Sequence, residues 1–351
     1  MADKLLSSDR DVLAAHVAQM HLAADNPLSQ SEIARRLGLD KATVSRLMQY
    51  ARDKGIVQWT IRLPQEKELE VKLARRFGLT DARVVPIIPP PKGKEGATFR
   101  EFLGRAAASY IEERDDFAKP DYQIGIGCGA TMREFVLALR PGHFSGVNIS
   151  QLTIETDTDS FIDEAPFTLV GMIYAKWREG SHACAIQPLP GGIDAAPVAP
   201  DAEEACTAKD ILVQAQNLDT AIMGIGSASL GTQMGSFARI CKNSGIAAST
   251  LRKFGIVGEL CNRPFDAEGH DRFDDIAADH PKILNYTRAV PLSLLRELVE
   301  KGKRVVAIAG GNDKCESIRI ALLSKYVSHL VTDSATAARL CEGRTSAAEE
   351  G

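Results

Sequence analysis

Apolar residues in the first part of the chain recur at helical spacing. Residues 8–24, SDRDVLAAHVAQMHLAA, carry Val12, Leu13, Val17 and Met20, which predicts a helix ended by Asn26-Pro27. SQSEIARRLG (29–38) sets Ile33, Ala34 and Leu37 on one face. KATVSRLMQYARDKG (41–55) does the same with Val44, Leu47, Met48 and Ala51. Between them Gly38 suits a left-handed turn, and Asp40 suits the N-cap of the next helix. Helix, tight turn and helix make a helix-turn-helix pattern, whose second helix enters the DNA major groove. IVQWTIRLP (56–64) alternates as a strand, the expected wing of a winged helix, and Pro64 closes this first domain.

The pattern then changes. QEKELEVKLARRFGL (65–79) is a charged helix with Leu69, Leu73, Ala74 and Phe77 on one side, and RVVPIIPPPKGKEG (83–96) is too rich in proline to be helical. Residues 65–97 are therefore expected to form a linker helix, able to dock on the body or pair with a second subunit, and a connector whose VVPII stretch reads alternatively as a first strand of the body. From 98 to 343 apolar strand-like runs alternate with amphipathic helices, which implies a parallel sheet covered on both faces, with ligands at the carboxyl ends of its strands. Residues 344–351 read as a disordered tail. Three strand-like runs share one form, passing into glycines and small polar residues: QIGIGCGATM (123–132), AIMGIGSAS (221–229) and VVAIAGGNDK (305–314).

Charge sharpens both halves. Between Gln30 and Lys54 six basic residues stand against three acidic ones, in a chain of formal net charge −4. A local basic excess on an acidic protein is what a phosphate-contacting element requires. Lys41, Thr43, Ser45 and Arg46 occupy the first turns of the second helix, the part that reaches base edges, with Arg46 the candidate for a bidentate guanine contact. Gln30, Arg35 and Arg52 are candidates for holding DNA phosphates. In the body, glycine lets main chain approach an anion, and a following helix aims free N–H groups at it. Thr131 and Ser227 add hydroxyl donors and Lys314 a compensating charge. GELCNRPFDAEG (258–269) offers Glu259 and Asp266 as acceptors for sugar hydroxyls, and reads equally as a solvated loop.

No loop has the spacing of a Walker or dinucleotide-binding motif, so no cofactor is expected. Seven scattered cysteines lack the spacing of a zinc site or a disulfide framework, and reduced, buried thiols are expected. A redox sensor at Cys128 or Cys315 is a minor alternative. No apolar run approaches a membrane span of roughly 20 residues, and the charged N-terminus has no signal-peptide core, so a cytoplasmic protein with no membrane partner is expected.

Together, SQSEIARRLGLDKATVSRLMQYARDKGIVQWTI, GIGCGATM, MGIGS, GIVGELCNRPFDAEG, VVAIAGGNDKCESIRIALLS and LVTDSATAARL, in this order, resemble the SorC family of bacterial regulators of sugar metabolism. The resemblance implies an α/β chain with a winged-helix-type DNA-binding domain over 1–64 and a Rossmann-like effector domain similar to sugar-phosphate isomerases. It implies double-stranded operator DNA and a sugar or polyol phosphate as partners, and a homodimer or homotetramer. By the same resemblance Gly127, Gly129, Ala130, Thr131 and Met132 would cradle the phosphate with Lys314, while Gly226, Ser227, Glu259 and Asp266 would face the sugar. The CNRPF turn departs from the CGR form usual in the family, and QLTIETDTDS lacks an arginine that some relatives use for a second phosphate, which favours a singly phosphorylated or unphosphorylated ligand. The competing expectation is a sugar-phosphate isomerase carrying an added DNA-binding domain.

Overall fold

The computed structural model describes residues 7–23, 25–57, 64–87, 95–113, 119, 121–155, 162–189, 192–197, 208–227 and 235–342. The wing strand expected at 56–64, the proline run and the C-terminal tail fall mostly or wholly outside these residues. The chain divides near residue 61 into two compact units.

The N-terminal unit is three helices: α1 (Ser7–Leu22), α2 (Gln30–Leu37) and α3 (Lys41–Asp53). The two caps read from sequence, Gly38 and Asp40, form, and the structure adds a third at Ser29. The Ser29 side chain accepts from the Glu32 N–H and the Glu32 carboxylate accepts from the Ser29 N–H, a reciprocal capping box on α2. Gly38 ends α2 at φ 64°, and Asp40 caps α3 by accepting from the Thr43 N–H at 2.7 Å. Ala14, Val17, Ile33, Val44, Leu47 and Ala51 meet in one small core. Val12 does not join it and is 70% exposed; α1 turns its Ala14–Val17–Ala18 stripe inward instead.

The body follows in chain order. Its first part comprises α4 (Lys67–Phe77), β1 (Asp81–Val85), α5 (Glu95–Glu112), β2 (Tyr122–Ile126), α6 (Ala130–Ala138), β3 (Val147–Gln151), β4 (Thr153–Glu155) and α7 (Pro166–Lys176). Next come β5 (His182–Cys184), β6 (Ile186–Leu189), β7 (Gly192–Pro197), α8 (Ala208–Ala215), β8 (Thr220–Gly224), β9 (Gly226–Ser227), α9 (Ser236–Asn243) and α10 (Ala248–Lys253). The last third is β10 (Ile256–Leu260), β11 (Arg263–Asp266), α11 (Phe273–Asp279), β12 (Thr287–Ala289), α12 (Leu292–Glu300), β13 (Arg304–Ile308), α13 (Cys315–Leu323), β14 (His329–Asp333) and α14 (Ser334–Glu342).

Seven strands form one sheet in the order β1-β14-β13-β8-β2-β3-β5, every pair parallel. Two apolar clusters cover its faces, as buried parallel strands require. From β2 the chain runs outward through β3 to β5, then returns to β8 on the opposite side of β2. The β2/β8 boundary is thus the point where strand order reverses, and a crevice opens there at the carboxyl ends. Three sequence expectations change. Residues 67–85 are not a linker: α4 packs on the body through Leu73 and Phe77, and β1 is an edge strand paired with β14. The 258–269 segment is not a solvated loop but the hairpin β10–β11, closed by Cys261 and Asn262 at φ 50° and 64°. Among the described residues five cysteines are free thiols, whereas Cys184 is disulfide-bonded, contrary to the expectation of reduced thiols throughout.

Candidate functional site

A cavity of about 660 Å³ lies at this reversal point. All three glycine loops reach its wall: Cys128–Thr131 after β2, Gly224–Ser227 after β8, and Asp313 and Lys314 after β13. Gly129, at φ 108°, starts α6 without any side-chain cap, leaving the first-turn N–H groups of a nine-residue helix at the cavity. The third loop is held from behind. The Gly311 N–H donates to Asp333 Oδ2 at 3.2 Å and to Thr336 Oγ1 at 2.8 Å, and a single 3-10 turn then delivers Lys314. Desolvation lowers the pKa of the Lys314 ammonium, partly offset by Asp313 and Glu259.

Glu259 is 9% exposed and stands on β10 against Gly226 of β9. A side chain on Gly226 would meet Glu259 Oε1 at 2.1 Å, so glycine there is what admits the carboxylate to the wall. Burial raises the Glu259 pKa from 4.5 to about 6, against the Asn262 N–H and the charges of Lys314 and Arg239, which pull it down. A carboxyl whose folded pKa is raised stabilises the fold below its unfolded pKa and loses that contribution as pH rises through 6. The difference in unfolding free energy between wild type and Glu259→Gln should therefore move by about 2 kcal/mol, in favour of the variant, between pH 4 and 8. Denaturant titrations at the two pH values check this; a constant difference would contradict it.

The remaining wall was not read from sequence. Arg100 comes from α5, Glu164 from the turn before α7, and Ser236, Arg239, Lys242 and Asn243 from α9. Arg239 pairs with Glu164 at 3.7 Å, and burial raises the Glu164 carboxyl against the pull of Arg239, Arg100 and Arg133. Among the described residues the wall thus carries four cationic groups, Arg100, Arg239, Lys242 and Lys314, against Glu164, Glu259 and Asp313. The signal for α9 was present: Phe237, Ile240 and Cys241 form its buried face, which leaves Arg239, Lys242 and Asn243 on the other.

Three expected site residues lie elsewhere. Gly127 is beside the cavity rather than on its wall, where it lets main chain pass Met223; a Cβ would sit 2.9 Å from the Met223 Cβ. The Met132 side chain is wholly buried in the core. Asp266 is 2% exposed and locks its own loop, accepting from the N–H groups of Glu268 and His270 and from Arg272 Nε at 2.7 Å. Burial works to raise its carboxyl, but these donors win and its pKa is lowered.

On the N-terminal unit, Lys41, Ser45, Arg46, Arg35 and Arg52 are exposed and Gln30 is half-buried. Thr43 is 6% exposed and does not present a base-reading group. Its hydroxyl donates to Asp40 Oδ2 at 2.8 Å and accepts from Arg46 Nη2 at 3.1 Å. The helical turn places residue i+3 above residue i, which makes Thr43 the support beneath Arg46.

The cavity-bearing part, residues 62–342, matches a sugar-binding domain family, and residues 12–59 match the MarR family. The chain is 32% identical over 318 residues to the transcriptional regulator LsrR of Escherichia coli (strain SMS-3-5 / SECEC), covering 89% of this chain and 90% of that one. It is 28% identical over 350 residues to the deoxyribonucleoside regulator of Bacillus subtilis (strain 168), covering 95% and 99%. The full-length sorbitol operon regulator SorC from Klebsiella pneumoniae shares the fold at a TM-score of 0.60 and 24% identity, over 95% of this chain and 99% of that one. No described helix is long and apolar enough to cross a membrane.

Proposed function

The chain belongs to the SorC family of sugar-responsive transcriptional regulators, and from that premise we propose that its cavity holds a sugar or polyol carrying one phosphate, which controls binding to an operator. The observation that carries the phosphate is the uncapped N-terminus of α6 opening beside Lys314. Free N–H groups, the positive end of the helix and a lysine together stabilise a dianion better than a neutral hydroxyl. Glu259 supplies an acceptor for the sugar hydroxyls. Gly129, Ala130, Thr131, Gly226 and Ser227 complete the effector site with Arg100, Arg239 and Lys242, and Gly127, Met132 and Asp266 support it from outside the wall.

Two or more heads per assembly follow from the short half-site that one recognition helix reads, so a homodimer or homotetramer is part of the proposal. Catalysis is not. The relatives named above are regulators, and none of the histidines of the described body lines the cavity. Melting curves with matched phosphorylated and unphosphorylated sugars and polyols test the reading. A monophosphate at a hundred times its Kd should add about 2.7 kcal/mol to the stability of the unit that binds it. Equal shifts from unphosphorylated partners would remove the phosphate from the proposal, and turnover of a sugar phosphate would remove the sensor.

A further inference from the structure

Asn262 is wholly buried and absent from the cavity wall, yet it touches Glu259 on that wall and Glu155 behind it. It is the second residue of the two-residue β10–β11 turn, at φ 64°. Such a turn needs positive φ at both positions, which glycine adopts freely and asparagine tolerates. Glycine would satisfy the backbone alone; asparagine brings an amide. That amide donates from Nδ2 to Glu155 Oε1 at 2.6 Å and to Thr153 Oγ1 at 3.2 Å, while its main-chain N–H donates to Glu259 Oε2 at 2.9 Å. Both side-chain donors are used.

Glu155 is 6% exposed and also accepts from Ser236 Oγ at 2.8 Å, at the start of the helix that carries Arg239 and Lys242. One residue therefore joins β4, the β10–β11 turn and, through Glu155, α9. Glu155 raises the cost of ionising Glu259. A neutral double donor between them keeps both in place. Glu259 Oε2 is held by Asn262, and Oε1 lies against Gly226 and Gly235, both wall residues.

We propose that Asn262 is a positioning residue for ligand recognition: it bridges Glu155 and Glu259 so that Glu259 Oε1 faces the cavity as an acceptor for ligand hydroxyls. The inference rests on the effector reading above. It assigns Asn262 a part in discriminating hydroxyl patterns, with none in holding the anion. The ionisable groups around the bridge are Glu155 of β4, Glu259 of β10, Lys314 of the third glycine loop, Arg239 of α9 and the thiols of Cys128 and Cys261. Both thiols are pushed well up by burial and stay neutral.

The test uses the full chain, titrated calorimetrically with inorganic phosphate and with the tightest of glucitol 6-phosphate, fructose 6-phosphate and ribose 5-phosphate. Asn262→Gly keeps the turn and its N–H but removes the amide. It should leave phosphate affinity within about twofold of wild type and weaken the sugar phosphate about tenfold, the worth of one hydrogen bond to a charged group. Asn262→Asp also suits the turn but places a third carboxyl against two. Relative to wild type at the same pH, it should lose sugar-phosphate affinity at pH 7.5 and regain most of it at pH 5.5, where a bound proton restores a bridging donor. A purely structural role would not produce that recovery. Unchanged sugar-phosphate affinity in Asn262→Gly, equal loss for both probes, or a pH-independent defect in Asn262→Asp would each overturn the inference while leaving the effector reading intact. A wild-type chain that binds the sugar phosphate no more tightly than phosphate would also overturn it. Failure of wild type to bind either probe would sink the effector reading and the inference together.

Discussion

Replacing Lys314 with alanine is expected to abolish the thermal shift given by a sugar phosphate and to leave DNA binding by the ligand-free protein unchanged. Lys314 stands on the cavity wall with a pKa lowered by desolvation, so the empty site already carries the cost of holding its charge. An anion at the α6 N-terminus recovers that cost. A hydrogen bond to a charged group is worth about 1.5–3 kcal/mol, which predicts a loss of roughly ten- to more than a hundredfold in affinity. The ligand-free variant should melt no lower than wild type near pH 5, because a half-desolvated ammonium has been removed and no core volume lost. Above pH 6 it should fall behind, since Lys314 is one of the charges that favour ionised Glu259. Calorimetric titration and melting at both pH values read these effects. An undiminished shift in Lys314→Ala would take the lysine out of the site.

What could be read in advance was what depends on neighbours in sequence. The Gly38 turn and the Asp40 cap are local, and each formed as expected; the capping box of Ser29 and Glu32 is equally local, an S-x-x-E spacing that went unread. The three glycine loops also formed as expected, because a parallel sheet must place successive strand ends on the same side. Residues recruited from distant elements were not legible. Arg100 and Arg239 reach the cavity only because α5 and α9 pack where they do; the apolar stripe of α9 tells which face carries Arg239, not what that face meets. Asp266 failed as a cavity residue for a related reason. Its spacing fits the wall, but a hairpin closed at Cys261 and Asn262 lets Glu259 reach the cavity while Asp266 is claimed by donors of its own loop. Composition left residues 67–85 open between linker and body. Proline at 86 and beyond masked the strand of DARVV, whose burial becomes plain only once β14 pairs with it.

Arg46→Ala should relax base preference at one position of each half-site, and Thr43→Val should produce a weaker form of the same defect. Arg46 is exposed on α3, and its guanidinium is steadied by Thr43 Oγ1, itself bonded to the Asp40 cap. A bidentate arginine–guanine contact discriminates by about 1–3 kcal/mol, and an assembly with two heads loses it twice. Valine keeps nearly the shape of threonine, and the Asp40 carboxylate keeps the Thr43 N–H, so the helix cap persists. What disappears is the hydroxyl beneath Arg46, and with it the pre-organisation of the guanidinium. Selecting sites from a random-sequence DNA pool with each variant, then measuring affinity across a salt series, separates the roles. Arg52→Ala, as a phosphate contact, should weaken all sequences alike and flatten the salt dependence by about one unit of slope per head. Arg46→Ala should leave the selected sites degenerate at one position per half-site. If Thr43→Val selects the wild-type site with wild-type affinity, Arg46 needs no support from below. If Arg46→Ala loses affinity equally for every sequence, Arg46 holds the backbone and the base is read elsewhere on α3.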